Sequence, residues 1–304
     1  MIEPVRKPTR VLIVGSLNVD LVVHCSHLPE PGETVQGQDL QIHLGGKGAN
    51  QAVAARRCGA EVAMIGRVGS DENGRRCRQG LIQEGIDRQA VLERDGAATG
   101  TALILVDEHG QNSICVSPGA NSTLTPKNIA DHGARLQDWA DVVLLQLEIP
   151  LPTAVAVVEA ARRSGVPVIL NPAPMPAQLP NELLAADILI VNEIEAVQLL
   201  GSSDRSVVDL SAQARAIRVH QKQVVVLTRG ERETVYVSDC AEGAVRSFEI
   251  DCVGTTGAGD AFCGAFAVRY LEVGDVARGG TLFSRCRGAG LQSIRSSGGD
   301  ADTC

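Results

Sequence analysis

The segment GTTGAGDAFCGAF, residues 254–266, sets one carboxylate, Asp260, behind a loop of glycine, threonine and alanine and at the mouth of an apolar, helix-like run. Such a loop lets backbone N–H groups converge on an anion, and a helix N-terminus adds about half a positive charge at that end. A phosphoryl group suits that cradle, with Asp260 placed to act as a base in the same pocket. The same composition also describes a glycine turn with Asp as the helix cap. A second cluster, LGGKGANQAVAARRCGA at 44–60, again opens an amphipathic helix with glycines. It is not a Walker A loop, because Gly48 follows Lys47 where that motif needs Ser or Thr. Lys47 and Asn50 instead offer donors for sugar hydroxyls or an anion. A third stretch, GSLNVD at 15–20, places Asn18 and Asp20 two residues apart after an apolar run. In extended chain both side chains face one way and can fork onto neighbouring hydroxyls, although a turn-forming Asx pair has the same appearance.

These clusters need a scaffold that brings distant segments to one edge. Short runs rich in Val, Ile and Leu at 11–15, 62–68, 142–147, 166–170, 188–192 and 224–228 read as buried strands. Helical patterns at 48–58, 73–84, 125–139, 153–164, 193–200 and 207–222 lie between them. The alternation implies a three-layer α/β fold, a mainly parallel sheet with helices on both faces and ligands at the carboxyl ends of its strands. Two stretches, about 20–44 and 99–117, interrupt it as strand pairs without helices. Leaving the top of the core, they suit a small β-sheet lid over the site or a surface that pairs with another subunit. No repeat or linker divides the chain, so one domain over 1–304 is expected.

With 304 residues, 44% of them hydrophobic, the chain can bury a large core. A net charge of -8 argues against nucleic acid or an anionic membrane as partner, and 2% aromatics leaves few platforms for stacking bases. No apolar run is long enough for a bilayer and the start lacks a signal-peptide core, so a cytoplasmic location is expected. The nine cysteines form no Cys-x-x-Cys pair and read as small buried hydrophobes.

GSLNVD, PEPGETV, GGKGANQAVA, IGRVGSDENG, SPGAN, LLQLEIP, ILIVNEIEA and TTGAGDAFCGAF stand in an order that resembles the ribokinase family of carbohydrate kinases, also called the PfkB family, from residue 11 to about 272. The resemblance implies ATP-dependent phosphorylation of D-ribose at its 5-hydroxyl to give ribose 5-phosphate. Another pentose, a nucleoside, or a catalytically impaired sugar-binding homologue are the alternatives. It further implies that Asn18, Asp20, Gly46, Lys47, Asn50 and Glu148 contact the pentose and that Asp260 is the base. Gly257, Ala258 and Gly259 match the family's anion hole, and Asn192 and Glu195 match its Asn-x-x-Glu motif for Mg²⁺ and phosphate. Thr228 and Gly230 fall on the nucleotide side, Thr256 in the loop that holds K⁺, and the strand pairs match a lid that also joins a homodimer. Three features depart from the family. Gly254 stands where the cation loop has Asp, with Asp251 three positions upstream, which leaves K⁺ activation open; ERE occupies 231–233 after Thr228. The tail at 283–304 is polar and glycine-rich where the family has an alanine-rich helix, as a frameshift near 281–284 would produce.

Overall fold

The computed structural model describes residues 7–201, 209–230, 232–245 and 257–273. Thr256, Gly254, Asp251, Glu231 and the tail 283–304 lie outside the described residues, and with them the expectations about the cation loop and the frameshift.

The chain runs β1 (Arg10–Val14), β2 (Asn18–His24), β3 (Gln41–Gly45), α1 (Lys47–Arg57), β4 (Glu61–Gly69), α2 (Glu72–Gln83), β5 (Asp87–Arg94), β6 (Gly100–Val106) and β7 (Asn112–Ser117). It continues through α3 (Pro126–Asp131), β8 (Val142–Leu145), α4 (Leu151–Ser164), β9 (Val168–Leu170), α5 (Asn181–Leu184), β10 (Ile188–Asn192), α6 (Glu193–Leu200), α7 (Leu210–Ile217), β11 (Val224–Thr228), β12 (Thr234–Val237), β13 (Glu242–Val245) and α8 (Ala258–Val273). Nine strands form the main sheet in the order β13-β12-β11-β10-β9-β8-β1-β4-β5. From β11 to β5 every neighbouring pair is parallel, and β12 and β13 add an antiparallel edge. The chain builds outward from β1 first through β4 and later through β8, so the strand order reverses beside β1. A crevice opens at the carboxyl ends of strands at such a reversal.

Strand side chains alternate between two cores. Val11 and Ile13 join a cluster with Ala52, Ala55, Leu81 and Phe266, whereas Leu12 and Val14 join Ile129, Val157, Ala161 and Ala214 on the opposite face. Continuous apolar strands are what burial on both faces demands. Helix α8 is apolar nearly all round, which fits its burial; Phe266 is fully buried and stacks on Phe262 and Tyr270 at centroid distances of 6.0 and 5.6 Å. Among the described residues no helix is long and apolar enough to cross a membrane.

The two strand pairs form one separate four-stranded sheet, ordered β3-β2-β6-β7, with β2 and β6 parallel at its centre. Asp71 ties it to the main body. This residue caps α2 by accepting from Gly74 N at 2.7 Å, and also accepts from Thr99 N at 2.8 Å and Thr99 Oγ1 at 2.5 Å, just before β6.

Three sequence expectations are corrected. The helix expected over 125–139 breaks after α3, around Gly133, and resumes only as a π-helical turn at Arg135–Trp139. Pro167 lacks an N–H for the ladder, so β9 begins one residue later than that proline rather than at 166. Helix α7 is confined to Leu210–Ile217 instead of reaching 222. The edge strands β5 and β13 are not among the expected ones, because each carries polar residues or glycine that dilute the apolar signal, and neither is β12, which is only four residues long.

Helices α1 and α8 approach at Gly264. A Cβ there would sit 2.5 Å from Gln51 O and 2.7 Å from Ala54 Cβ. Gly264→Val is therefore expected to lower stability by about 1–3 kcal/mol through overpacking, read as a lower urea midpoint at unchanged m-value.

Candidate active site

After β1 the chain passes beneath the start of α1. Gly46 holds φ at 91°, and any side chain on it would meet the backbone of Ser16, Leu17 and Asn18. The glycines around Lys47 thus permit backbone contact with the strand end, sealed by Ala49 N donating to Ser16 O at 3.0 Å. Gly46 offers no side chain to cap α1. Glu148, from the segment after β8, takes that place: its Oε2 accepts from Lys47 N at 3.1 Å and from Ser16 Oγ at 2.5 Å. A carboxylate at a helix N-terminus is favoured by the aligned peptide dipoles.

Asp260 lies in the first turn of α8, just after Gly257, whose φ of 82° turns the chain into the helix. Its carboxylate is buried and accepts from Asn50 Nδ2 at 3.1 Å on one oxygen and from Gln51 Nε2 at 3.0 Å on the other. Burial pushes its pKa above the usual carboxylate range, against the opposing pull of Lys47 and the two amides. Burial also disfavours the charge on Lys47, but Asp260, Glu148 and Glu195 around it prevail and its pKa is raised. Lys47 is therefore a fixed cation among carboxylates.

Asn192 ends β10 and caps α6 reciprocally with Glu195. Glu195 N donates to Asn192 Oδ1 at 2.8 Å, and Asn192 N donates to Glu195 Oε2 at 2.9 Å. The Glu195 carboxyl is buried and its pKa is pushed up by that burial, with the bond from Asn192 and the nearby Lys47 working the other way. A cleft of roughly 110 Å³ is lined by Lys47, Asn192, Glu195, Thr228, Gly257, Gly259 and Asp260, together with Asn171 and Cys263. A Cβ on Gly259 would meet nothing within 4 Å, so this glycine leaves a bare backbone beside open space. Thr228 also binds the sheet, its Oγ1 donating to Val191 O at 3.4 Å. Ala258 and Gly230 are not among the residues that line the cleft.

Asn18 and Asp20 enter from β2 in the second sheet. Asn18 is buried, and its Oδ1 accepts from Asn121 Nδ2 at 2.8 Å. Asn121 also grips the backbone of Leu17 through Nδ2 to Leu17 O at 3.1 Å and Leu17 N to its own Oδ1 at 3.0 Å. Occupying Asn18 Oδ1 leaves the Asn18 amide group as a donor. Asp20 projects beside Gly45, where any Cβ would overlap its carboxylate.

A model of the pfkB family carbohydrate kinases matches residues 8–286. The ribokinase of Haemophilus influenzae is 38% identical over 264 residues, 86% of this chain and 85% of its own. A bifunctional ribokinase/ribose-5-phosphate isomerase A of Fructilactobacillus sanfranciscensis is 38% identical over 87% of this chain, which spans only 49% of that protein's length. The structure of Arabidopsis thaliana ribokinase complexed with ribose and ATP superposes with a TM-score of 0.80 at 30% identity, covering 94% of this chain and 92% of its own. The chain belongs to the pfkB family of carbohydrate kinases.

A carbohydrate kinase of this family is a phosphotransferase acting on an alcohol group. In this kinase the expected residues Lys47, Asn50, Glu148, Asn192, Glu195, Thr228, Gly257, Gly259 and Asp260 converge from five separate segments on one cleft and its wall. Sequence reasoning missed Ser16, Gln51, Asn121, Gln146 and Asn171, which are buried and hold the others. A signal existed for two of them: Gln146 interrupts the apolar run VVLLQLEI, and Gln51 shares the helical face of Ala52 and Ala55.

Asp20 feels burial first and then the charges of Glu148 and Asp260, which together raise its pKa from 3.8 to about 6. A carboxylate with a raised folded-state pKa destabilises the fold once ionised: the penalty is absent below pH 3.8, grows through the interval, and is complete above about pH 6. Asp20→Asn should therefore raise unfolding free energy at pH 7.5 by about 1–2 kcal/mol, after discounting for partial exposure, with the gain disappearing near pH 4. Urea denaturation of both proteins at the two pH values checks it.

Proposed function

We infer that this kinase catalyses ATP-dependent phosphorylation of D-ribose at the 5-hydroxyl, releasing ribose 5-phosphate and ADP. The observation that carries this reading is Asp260: a buried acid with raised pKa at a helix entrance, bonded to Asn50 and sharing one cleft with Lys47 and the Asn192–Glu195 cap. The family membership and the ribokinases among its relatives support the substrate assignment.

In this reading Asn18 donates to a ribose hydroxyl while Asp20 accepts from one, with Lys47 and Asn50 completing the sugar contacts. Asp260 takes the proton of the 5-hydroxyl as that oxygen attacks the γ-phosphorus and the bond to the β-phosphate oxygen breaks. Burial brings the base nearer to neutrality, where general base catalysis is effective. Backbone N–H groups at 257–259, reinforced by the dipole of α8, stabilise charge on the transferring group. Thr228 and Gly230 face the nucleotide.

In and around the cleft Lys47 stands among the carboxylates of Asp20, Glu148, Glu195 and Asp260, a net negative setting for a nucleoside triphosphate. Mg²⁺ fits that setting, since it is held through one or two carboxylates plus substrate phosphates, and it supplies the charge neutralisation that phosphoryl transfer needs. In this reading Glu195, indirectly, and Asn192 would hold it. K⁺ is a separate matter: turnover in K⁺ against Na⁺ measures whether activation persists with Gly254 in the cation loop.

The second sheet is the proposed lid, closing over sugar and excluding water from the phosphoryl group. It also offers a dimer surface. Ile42, Leu21 and Leu103 form a row across β3, β2 and β6, with Ile42 and Leu103 47% and 54% exposed. A monomer exposing such a row in water is disfavoured. Six described cysteines are all unpaired, as suits a reducing cytoplasm.

Asp260→Asn is expected to lower kcat about 10²–10⁴-fold with ribose affinity changed only a few fold, measured by coupled ADP release and by calorimetry. Ribose compared with 2-deoxyribose and a nucleoside as acceptors tests the substrate. Leu103→Glu is expected to shift the protein from dimer to monomer in sedimentation velocity.

A further inference from the structure

Behind Asp260 lies a chain of buried amides that the reaction as described does not use. Gln51, fully buried in α1, donates Nε2 to Asp260 Oδ1 at 3.0 Å and lies 3.5 Å from Asn171 Oδ1. Its Oε1 accepts from Gln146 Nε2 at 2.7 Å, and Gln146 is fully buried as well. Asn171 in turn donates to Ile190 O at 3.1 Å.

The polarity of this chain is dictated by chemistry. An ionised carboxylate only accepts, so Gln51 must present its NH₂ to Asp260 and leave its carbonyl for Gln146. Gln146 must then donate, which turns its own Oε1 toward Gly15. That oxygen is buried without a hydrogen-bond partner, and a Cβ on Gly15 would overlap it. A buried orphan acceptor is unfavourable and is retained in folded proteins for a reason. Reversing the Gln146 amide would point a carbonyl at the carbonyl of Gln51, so the orphan follows from holding Gln51 in one orientation.

We propose that Gln51 and Gln146 are positioning residues that hold Asp260 as an oriented base: Gln146 fixes the Gln51 amide, and Gln51 pins Oδ1 so that Oδ2, beside Asn50, faces the hydroxyl. This rests on the assignment of Asp260 as the base. The other charged or titratable groups facing Asp260 are Lys47 from α1, Glu148 after β8, Glu195 from α6, Asp20 from β2 and Cys263 from α8 itself. None of them is removed by changing either glutamine.

The test compares wild type, Gln51→Leu and Gln146→Leu in the full chain with ATP, Mg²⁺ and ribose. Gln51→Leu is expected to lower kcat at neutral pH about 10- to 100-fold, because the base is both misaligned and more readily protonated. Its KM for ribose should stay within about 3-fold, and the acidic limb of its kcat profile should move to higher pH. Gln146→Leu, which leaves every neighbour of Asp260 in place, should shift both in the same direction by less. Carboxyl ¹³C resonances of aspartate-labelled protein, with Asp260 assigned by its loss in Asp260→Asn, give a titration without substrate. Its midpoint should rise from wild type through Gln146→Leu to Gln51→Leu. An unmoved midpoint in the folded variants, or a fall in kcat that only tracks the folded fraction with the pH profile unchanged, overturns the proposal. Should Gln51→Leu not fold, Gln146→Leu decides alone. A wild type inactive on ribose overturns the substrate reading, while the titration still judges the glutamines.

Discussion

A buried carboxylate bridging two helices is the constraint around which this molecule is arranged. Asp260 belongs to α8 and its two amide donors to α1, so the hydrogen bonds at 3.1 and 3.0 Å form only when those helices are locked together. Gly264 allows the approach, and the apolar length of α8, with Phe262 and Phe266 against the sheet, holds it. The same helix start presents Gly257 and Gly259 to the cleft, so the packing that positions Asp260 also positions the bare backbone beside it. Packing at this density transmits small shifts rather than absorbing them.

The electrostatics of the cleft favour chemistry over stability. Asp20, Glu195 and Asp260 all carry raised pKa values because burial works against their charge, and Lys47 alone offsets several acids. Isolated, such a cluster would be replaced by apolar residues in a more stable protein. It stands at the sheet's reversal point, where ligands of such sheets gather. Glu148 shows the compromise at its most economical, since a single oxygen caps α1, anchors Ser16 and adds to the field on Asp20 and Lys47.

Side chains at its base tie the second sheet to the main body. Asp71 secures Thr99 at the foot of β6, and Asn121, at the far end of β7, secures Leu17 and Asn18. Both anchors sit at one end of the sheet, whereas β3 and β7 carry mostly exposed residues. A sheet rooted at one end and thinly packed beyond it has low local stability, as the proposed lid needs.

Much of this was legible in the chain itself. Continuous Val, Ile and Leu runs announced strands buried on both faces, and Asp260, Lys47 and Asn50 stood out because polar residues beside glycine at helix starts have few neighbours to hide behind. Edge strands β5 and β13 were illegible, since half-exposed segments mix polar with apolar residues, and the buried β12 is only four residues long. The alternating pattern and the cast of polar groups can be read along the chain, because periodicity and local backbone chemistry are properties of neighbours in sequence. That Glu148 caps a helix 101 residues upstream, and that Gln146 and Gln51 stand behind Asp260, emerges only in the folded chain. Those are contacts across the reversal of a parallel sheet, and no local pattern records a partner that far away.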